Sequence, residues 1–105
     1  RRETRELTQR LLGESLTLAA AVADGSSCPA PSEQRERFRE ARRALAAVET
    51  HLAIARHADL VPAQLAAQLG TRTQSVGRLL SGYLAYLDRQ VEEEEEASGR
   101  ALRAD

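Results

Sequence analysis

Between Phe38 and Ala55 the apolar residues Phe38, Ala41, Leu45, Val48, Leu52 and Ala55 follow one another in alternating steps of three and four. That spacing keeps side chains on one face of an α-helix and scatters them over both faces of a strand. A seam so regular is expected where helices pack nearly parallel or antiparallel. Ser32 is the predicted N-cap of this helix, with Glu33 in its first turn. The opposite face carries Arg35, Arg39, Arg42 and Arg43, with Glu36 and Glu40 three residues before Arg39 and Arg43. Pairs of that kind stabilise a helix by only a few tenths of a kcal/mol, so they mark the solvent side.

Similar patterns flank this segment. From Arg1 to Ala23, Leu7, Leu11, Leu18 and Val22 form a stripe that Leu12 and Leu16 widen. The run Thr17 to Ala23 is nearly all apolar and is expected to be the most buried part, with Asp24-Gly25 as the stop. Ser26 to Pro31, with two prolines, reads as a loop. A connection near His57 to Val61 leads to Pro62, suited to a first helical turn. The third helix is predicted from Pro62 to the glutamate run, with Leu65, Leu69, Val76, Leu80, Tyr83, Leu87 and Val91 as its seam. Gly70 and Gly77 lie seven apart along it. A helical glycine costs up to about 1 kcal/mol, which points either to close backbone approach or to a weakened middle.

The expected architecture is therefore all-α, an antiparallel up-down bundle over residues 1–91. Glu92 to Glu96 form a like-charge block that opposes the helix macrodipole, so residues 92–105 are expected as a frayed or disordered acidic tail. The second and third segments are long rods for a chain of 105 residues. Their apolar faces call for a further helix, in this chain or a neighbouring one. Leucine, valine and alanine must supply the core, because the only aromatics are Phe38, Tyr83 and Tyr86.

Composition narrows the function. Sixteen acids against fifteen arginines argue against a freely acting nucleic-acid binder, whose domain is usually basic. Residues 1–58 carry ten arginines and eight acids, and residues 59–105 five and eight, an asymmetry suited to head-to-tail contacts. No apolar stretch approaches the roughly 20 residues of a membrane span, and no secretory pattern is present. A cytoplasmic location is expected. Cys28 has no partner for a disulfide and no evident base to activate it. His51 and His57 are six apart, on different helical faces, and no carboxylate or thiol cluster completes a metal site. No nucleophile motif or phosphate-cradling loop appears, so neither enzyme activity nor a cofactor is expected.

Three ordered blocks carry a family resemblance. TLAAAVADG (Thr17 to Gly25) resembles the segment S-V/I-P-x-N-I-A-E-G of bacterial four-helix-bundle proteins encoded in intervening sequences of large-subunit ribosomal RNA genes. FREARRALAAVETHLAIARH (Phe38 to His57) is similar to their F-x-x-x-A-x-G-S-L-x-E-x-x-x-x-L-x-I-A pattern, through Ala41, Leu45, Glu49, Leu52, Ile54 and Ala55. GRLLSGYLAYL (Gly77 to Leu87) resembles their closing G-R-M-L-S-G-L-I-x-x-L. The chain departs from the pattern at Ala19, Ala21, Asp24 and Arg43-Ala44. The family's first helix has no counterpart here. The chain lacks an initiating methionine, which leaves open whether a helix precedes Arg1 in the gene product.

The resemblance implies a left-turning antiparallel four-helix bundle that assembles into a ring, often a homopentamer. The related accessory proteins of diversity-generating retroelements bind nucleic acid and a reverse transcriptase. The fold carries across more readily than any activity. The leading functional expectation is an oligomeric scaffold or partner-binding module, with Phe38, Leu45, Val48, Leu52, Leu80, Tyr83 and Leu87 in core and interface. Glu49 lies close to the seam, and a partly buried carboxylate needs a partner. Arg78, or an arginine of a neighbouring copy, is the expected one. The alternative is an accessory nucleic-acid binder that uses Arg35, Arg39, Arg42 and Arg43 as phosphate contacts.

Overall fold

A computed structural model describes residues 2–104 and shows three helices joined by short connections, with no strand among the described residues. α1 spans Arg2–Ser27, α2 Pro31–His57 and α3 Ala63–Ala104. The expected helix start at Arg1 and the last tail residue, Asp105, lie outside the described residues. No helix is long and apolar enough to cross a membrane among the described residues.

α2 is the central element. Both α1 and α3 pack on it, while no Cα of α1 comes within 8 Å of a Cα of α3. The two flanking helices are therefore each held by α2. Buried Ala21, Phe38, Ala41, Leu45, Leu80, Leu84 and Leu87 form the core, with Leu18, Val22 and Val76 packed against it. The molecule measures 67 × 20 × 17 Å, with a radius of gyration of 18.2 Å. A compact chain of this length would have about 13 Å. The excess is the rod of α3, whose 42 residues span about 63 Å at helical rise.

Several boundaries differ from the sequence reading, each for a physical reason. α1 does not stop at Asp24-Gly25 but continues through Ser27. Gly25 is buried and helical, selected for the proximity of α2 and not for a left-handed turn. Of the alanine-rich run, only Ala21 is buried, because a helix on one side of a single neighbour hides one face. α2 begins at Pro31, not after Ser32: Ala30 takes the cap position and receives the Gln34 amide at 3.0 Å. Proline's fixed φ suits the first helical position. The Gln34 side chain donates back to the Cys28 carbonyl at 2.8 Å, closing the three-residue connection. α3 starts at Ala63, one residue after Pro62, whose carbonyl accepts the Ala66 amide.

The C-terminus of α2 ends in a Schellman motif. Leu60 N–H donates to Ala55 O at 2.9 Å and Asp59 N–H to Arg56 O at 3.2 Å. The geometry needs a left-handed residue after the cap, and Asp59 supplies it with φ of 54°. At the other end of α3 the helix runs through Glu92 to Ala104, where fraying is expected from the charge pattern. Val91 marks the end of burial instead, and no residue after it is buried among the described residues.

Candidate functional site

The seam residues of α2 and α3 serve first as the core of one chain. Phe38, Leu45, Val48, Leu80 and Leu87 are buried, and Leu52 is half-buried. Tyr83 is 39% exposed, and Leu84 takes the buried position that the sequence reading gave to it. Steps of three or four lead from Leu80 to either residue. The hydroxyl settles the matter, since burying it requires a partner. The Tyr83 ring still packs edge-on against Phe38, with centroids 4.8 Å apart, and stacks on Tyr86 at 5.7 Å. Three rings thus lead from the core to the surface of α3.

Beyond that core, large apolar side chains remain uncovered. Leu12 and Leu16 on α1 are 60% and 62% exposed, and Leu79 on α3 is 74% exposed. Tyr86, Leu65 and Ile54 are also exposed. Leu12 and Leu16 are one turn apart on the side of α1 away from α2. Leu79 and Tyr86 are two turns apart on α3. Both flanking helices therefore present a second apolar face.

The arginine face of α2 divides into two parts. Asp88 of α3 receives Arg35 Nη1 at 3.5 Å and Arg39 Nη2 at 3.6 Å. Arg39 also pairs with Glu36 at 3.0 Å, whereas Glu40 pairs with Arg37 and not with Arg43. Arg35 Nε is buried without a hydrogen-bond partner, so the inter-helix clamp is incomplete on the arginine side. Arg42 and Arg43 are exposed, and neither forms a salt bridge among the described residues.

The expected Glu49–Arg78 contact does not form within the chain. Glu49 is exposed and lines a groove of about 210 Å³ between α2 and α3. Arg78 is exposed and donates to Ser75 Oγ at 3.3 Å. The seam turns Glu49 just past the contact with α3, where water solvates it. Arg56, His57 and Gln74 share the groove wall, and no hydrogen bond or salt bridge joins Glu49 to them. No cluster of three metal-ligating side chains occurs among the described residues. Cys28 Sγ donates to the Asp24 carbonyl at 3.2 Å.

One polar contact escaped the sequence reading. His51 Nδ1 lies 2.8 Å from Glu14 Oε1 and 3.0 Å from both Glu14 Oε2 and the Ala47 carbonyl. Every one of these neighbours is an acceptor, which assigns the proton to Nδ1. About four-fifths of both side chains is hidden from water, and the contact ties α1 to α2. The available signal was the seven-residue step from Leu11 to Leu18, whose inward position is filled by Glu14.

No family model, curated protein or solved structure matches this chain.

Proposed function

We propose that this chain is a non-enzymatic helical scaffold that acts in the cytoplasm by associating with further copies of itself and presenting the assembly to a partner. The observation that carries this reading is the pair of uncovered apolar faces, Leu12 and Leu16 on α1 and Leu79 and Tyr86 on α3. Exposed leucines scattered singly need no explanation, but leucines repeated along one helix face favour burial against another helix. Two helices on one central rod leave α1 and α3 without backbone contact, and a fourth helix seated between them would complete a four-helix bundle. The resemblance of the three sequence blocks favours a ring, and a homopentamer among rings. Native mass spectrometry and sedimentation across micromolar to submillimolar concentration test the proposal. A defined oligomer supports it, and a monomer at every concentration overturns it.

A second reading makes the arginines of α2 a nucleic-acid contact. Arg42 and Arg43 are exposed and engaged by no acid among the described residues, which favours it, while Asp88 holds Arg35 and Arg39. Repetition of a weak strip around an oligomer would strengthen binding through multivalency. Salt-titrated binding to single-stranded and duplex RNA and DNA decides the matter. An affinity that falls steeply with salt supports phosphate contacts, and no salt-sensitive association excludes them.

A further inference from the structure

We infer that the outward face of α1 is a two-fold interface, on which α1 of a second copy of this chain lies antiparallel. This rests on the self-association reading but not on ring closure, since a two-fold contact makes pairs, whether of single chains or of rings.

The argument begins with a second seam. α1 already meets α2 through Leu7, Leu11, Leu18, Ala21 and Gly25, all buried or half-buried. On its other side Gln9, Leu12, Leu16, Ala19, Ala23 and Ser26 follow in steps of three, four, three, four and three, and all six are exposed. That is the heptad spacing of a helix pair. The charges of this stretch avoid the seam. Between Thr8 and Ser27 only Arg10, Glu14 and Asp24 are ionisable. At 100° per residue all three fall on the opposite half of the helix. A chain with 30% charged residues thus keeps about 30 Å of exposed helix face uncharged.

The order of residue sizes then selects the occupant. In an antiparallel pair related by a two-fold axis between Thr17 and Leu18, Leu12 of each copy meets Ala23 of the other, and Leu16 meets Ala19. Gln9 meets Ser26 at both ends. Every leucine faces an alanine, so large and small side chains interdigitate and the helices can approach closely. Polar residues close the two ends. A parallel pair would instead set Leu12 on Leu12 and Ala23 on Ala23, crowding one end and leaving the other hollow. The same patch complements itself, as a two-fold interface requires. A foreign helix would have no reason to match this size order read backwards.

Disulfide trapping tests the arrangement. In a Cys28→Ser background, Gln9→Cys and Ser26→Cys chains are oxidised alone and as a mixture, with circular dichroism to confirm the fold. The six seam positions are solvent-exposed in the single chain, so these substitutions leave its core untouched. The expected result is a cross-linked dimer in the mixture and none from either chain alone, because Gln9 of one copy lies about 25 Å from Gln9 of the other. Leu16→Glu is expected to abolish the α1 pair with an unchanged circular dichroism spectrum, while Leu79→Glu on α3 retains that pair. Cross-linking of Gln9→Cys to itself would establish parallel packing and overturn the inference. So would association that survives Leu16→Glu with no cross-link in the mixture, although self-association itself would stand. A wild-type chain that never leaves the monomer overturns both.

Discussion

A β-carbon placed on Gly25 would fall 2.8 Å from Phe38 Cε2 and 3.1 Å from Arg37 Cβ. Gly25 is thus the point at which α1 and α2 approach most tightly among the glycines of the chain. The ring it touches cannot retreat easily, because Tyr83 packs on Phe38. Gly25→Ala is expected to destabilise by about 1–2 kcal/mol, since overpacking outweighs the gain in helix propensity. Gly82→Ala is the control. Its added methyl meets nothing within 4 Å, so about 0.5–1 kcal/mol of stabilisation is expected. Urea unfolding of both variants checks the opposite signs.

Asp59 offers a gain of a different kind. It holds the left-handed position of the α2 Schellman motif with φ of 54°, which costs an L-residue roughly 1 kcal/mol or more. Asp tolerates that conformation better than most residues, so Asp59→Gly is expected to raise stability by less, about 0.5 kcal/mol. A fall in stability, measured by thermal unfolding, would mean that the Asp59 side chain contributes something its backbone does not reveal.

The Glu14–His51 contact is the polar pin between α1 and α2. A double-mutant cycle with Glu14→Ala and His51→Ala is expected to give a coupling energy of about 0.5–1.5 kcal/mol, the range of a typical intramolecular hydrogen bond, here kept largely from water. A value near zero would assign the pair to the solvated class of surface contacts.

The helical class and the α2 seam were legible because the three-four spacing from Phe38 to Ala55 leaves no competing period. Boundaries were less so. Gly25 carries the same letter whether it ends a helix or admits a phenylalanine ring, and only the position of α2 decides between them. Tyr83 and Leu84 both satisfy the spacing, and burial of a hydroxyl separates them. The arginine face was visible, but not that Asp88, 49 residues beyond Arg39, would neutralise half of it. Glu49 and Arg78 each lie near a seam, yet a rotation of a few tens of degrees about each helix leaves both in water. The outward seam of α1 was present in the sequence as a widening of its apolar stripe. Only the position of α2 shows that Leu12 and Leu16 belong to a separate face.

Asp88 links stability to the arginine reading. Its substitution by Ala removes the acceptor for Arg35 and Arg39, whose side chains are 24% and 39% exposed. Solvent screening keeps such pairs weak, so a loss of about 0.5–1 kcal/mol is expected. The same change frees the Arg35 guanidinium and leaves Arg39 held by Glu36 alone, beside Arg42 and Arg43. If those arginines meet phosphates, Asp88→Ala should bind RNA or DNA more tightly and with a steeper salt dependence than the wild type.

Truncation after Val91 separates the packed rod from its overhang. Residues 92–104 extend α3 by about 20 Å, yet none of them is buried. Their one ion pair among the described residues, Glu96 with Arg100 at 4.0 Å, is local and exposed. A helix without a packed face is sustained only by propensity, which is marginal at this length, and five adjacent glutamates repel one another. Amides of this segment should therefore exchange with solvent fastest, and the truncated chain should keep its melting temperature within about 2 °C. The far-ultraviolet helical signal should fall by no more than about a seventh, the overhang's share of the helical residues. Added salt should raise the signal of the full chain but not of the truncated one, because it screens the glutamate repulsion. A large drop in melting temperature would show that the overhang is held by something other than its own helix, and the face it covers in a second copy would then be the place to look.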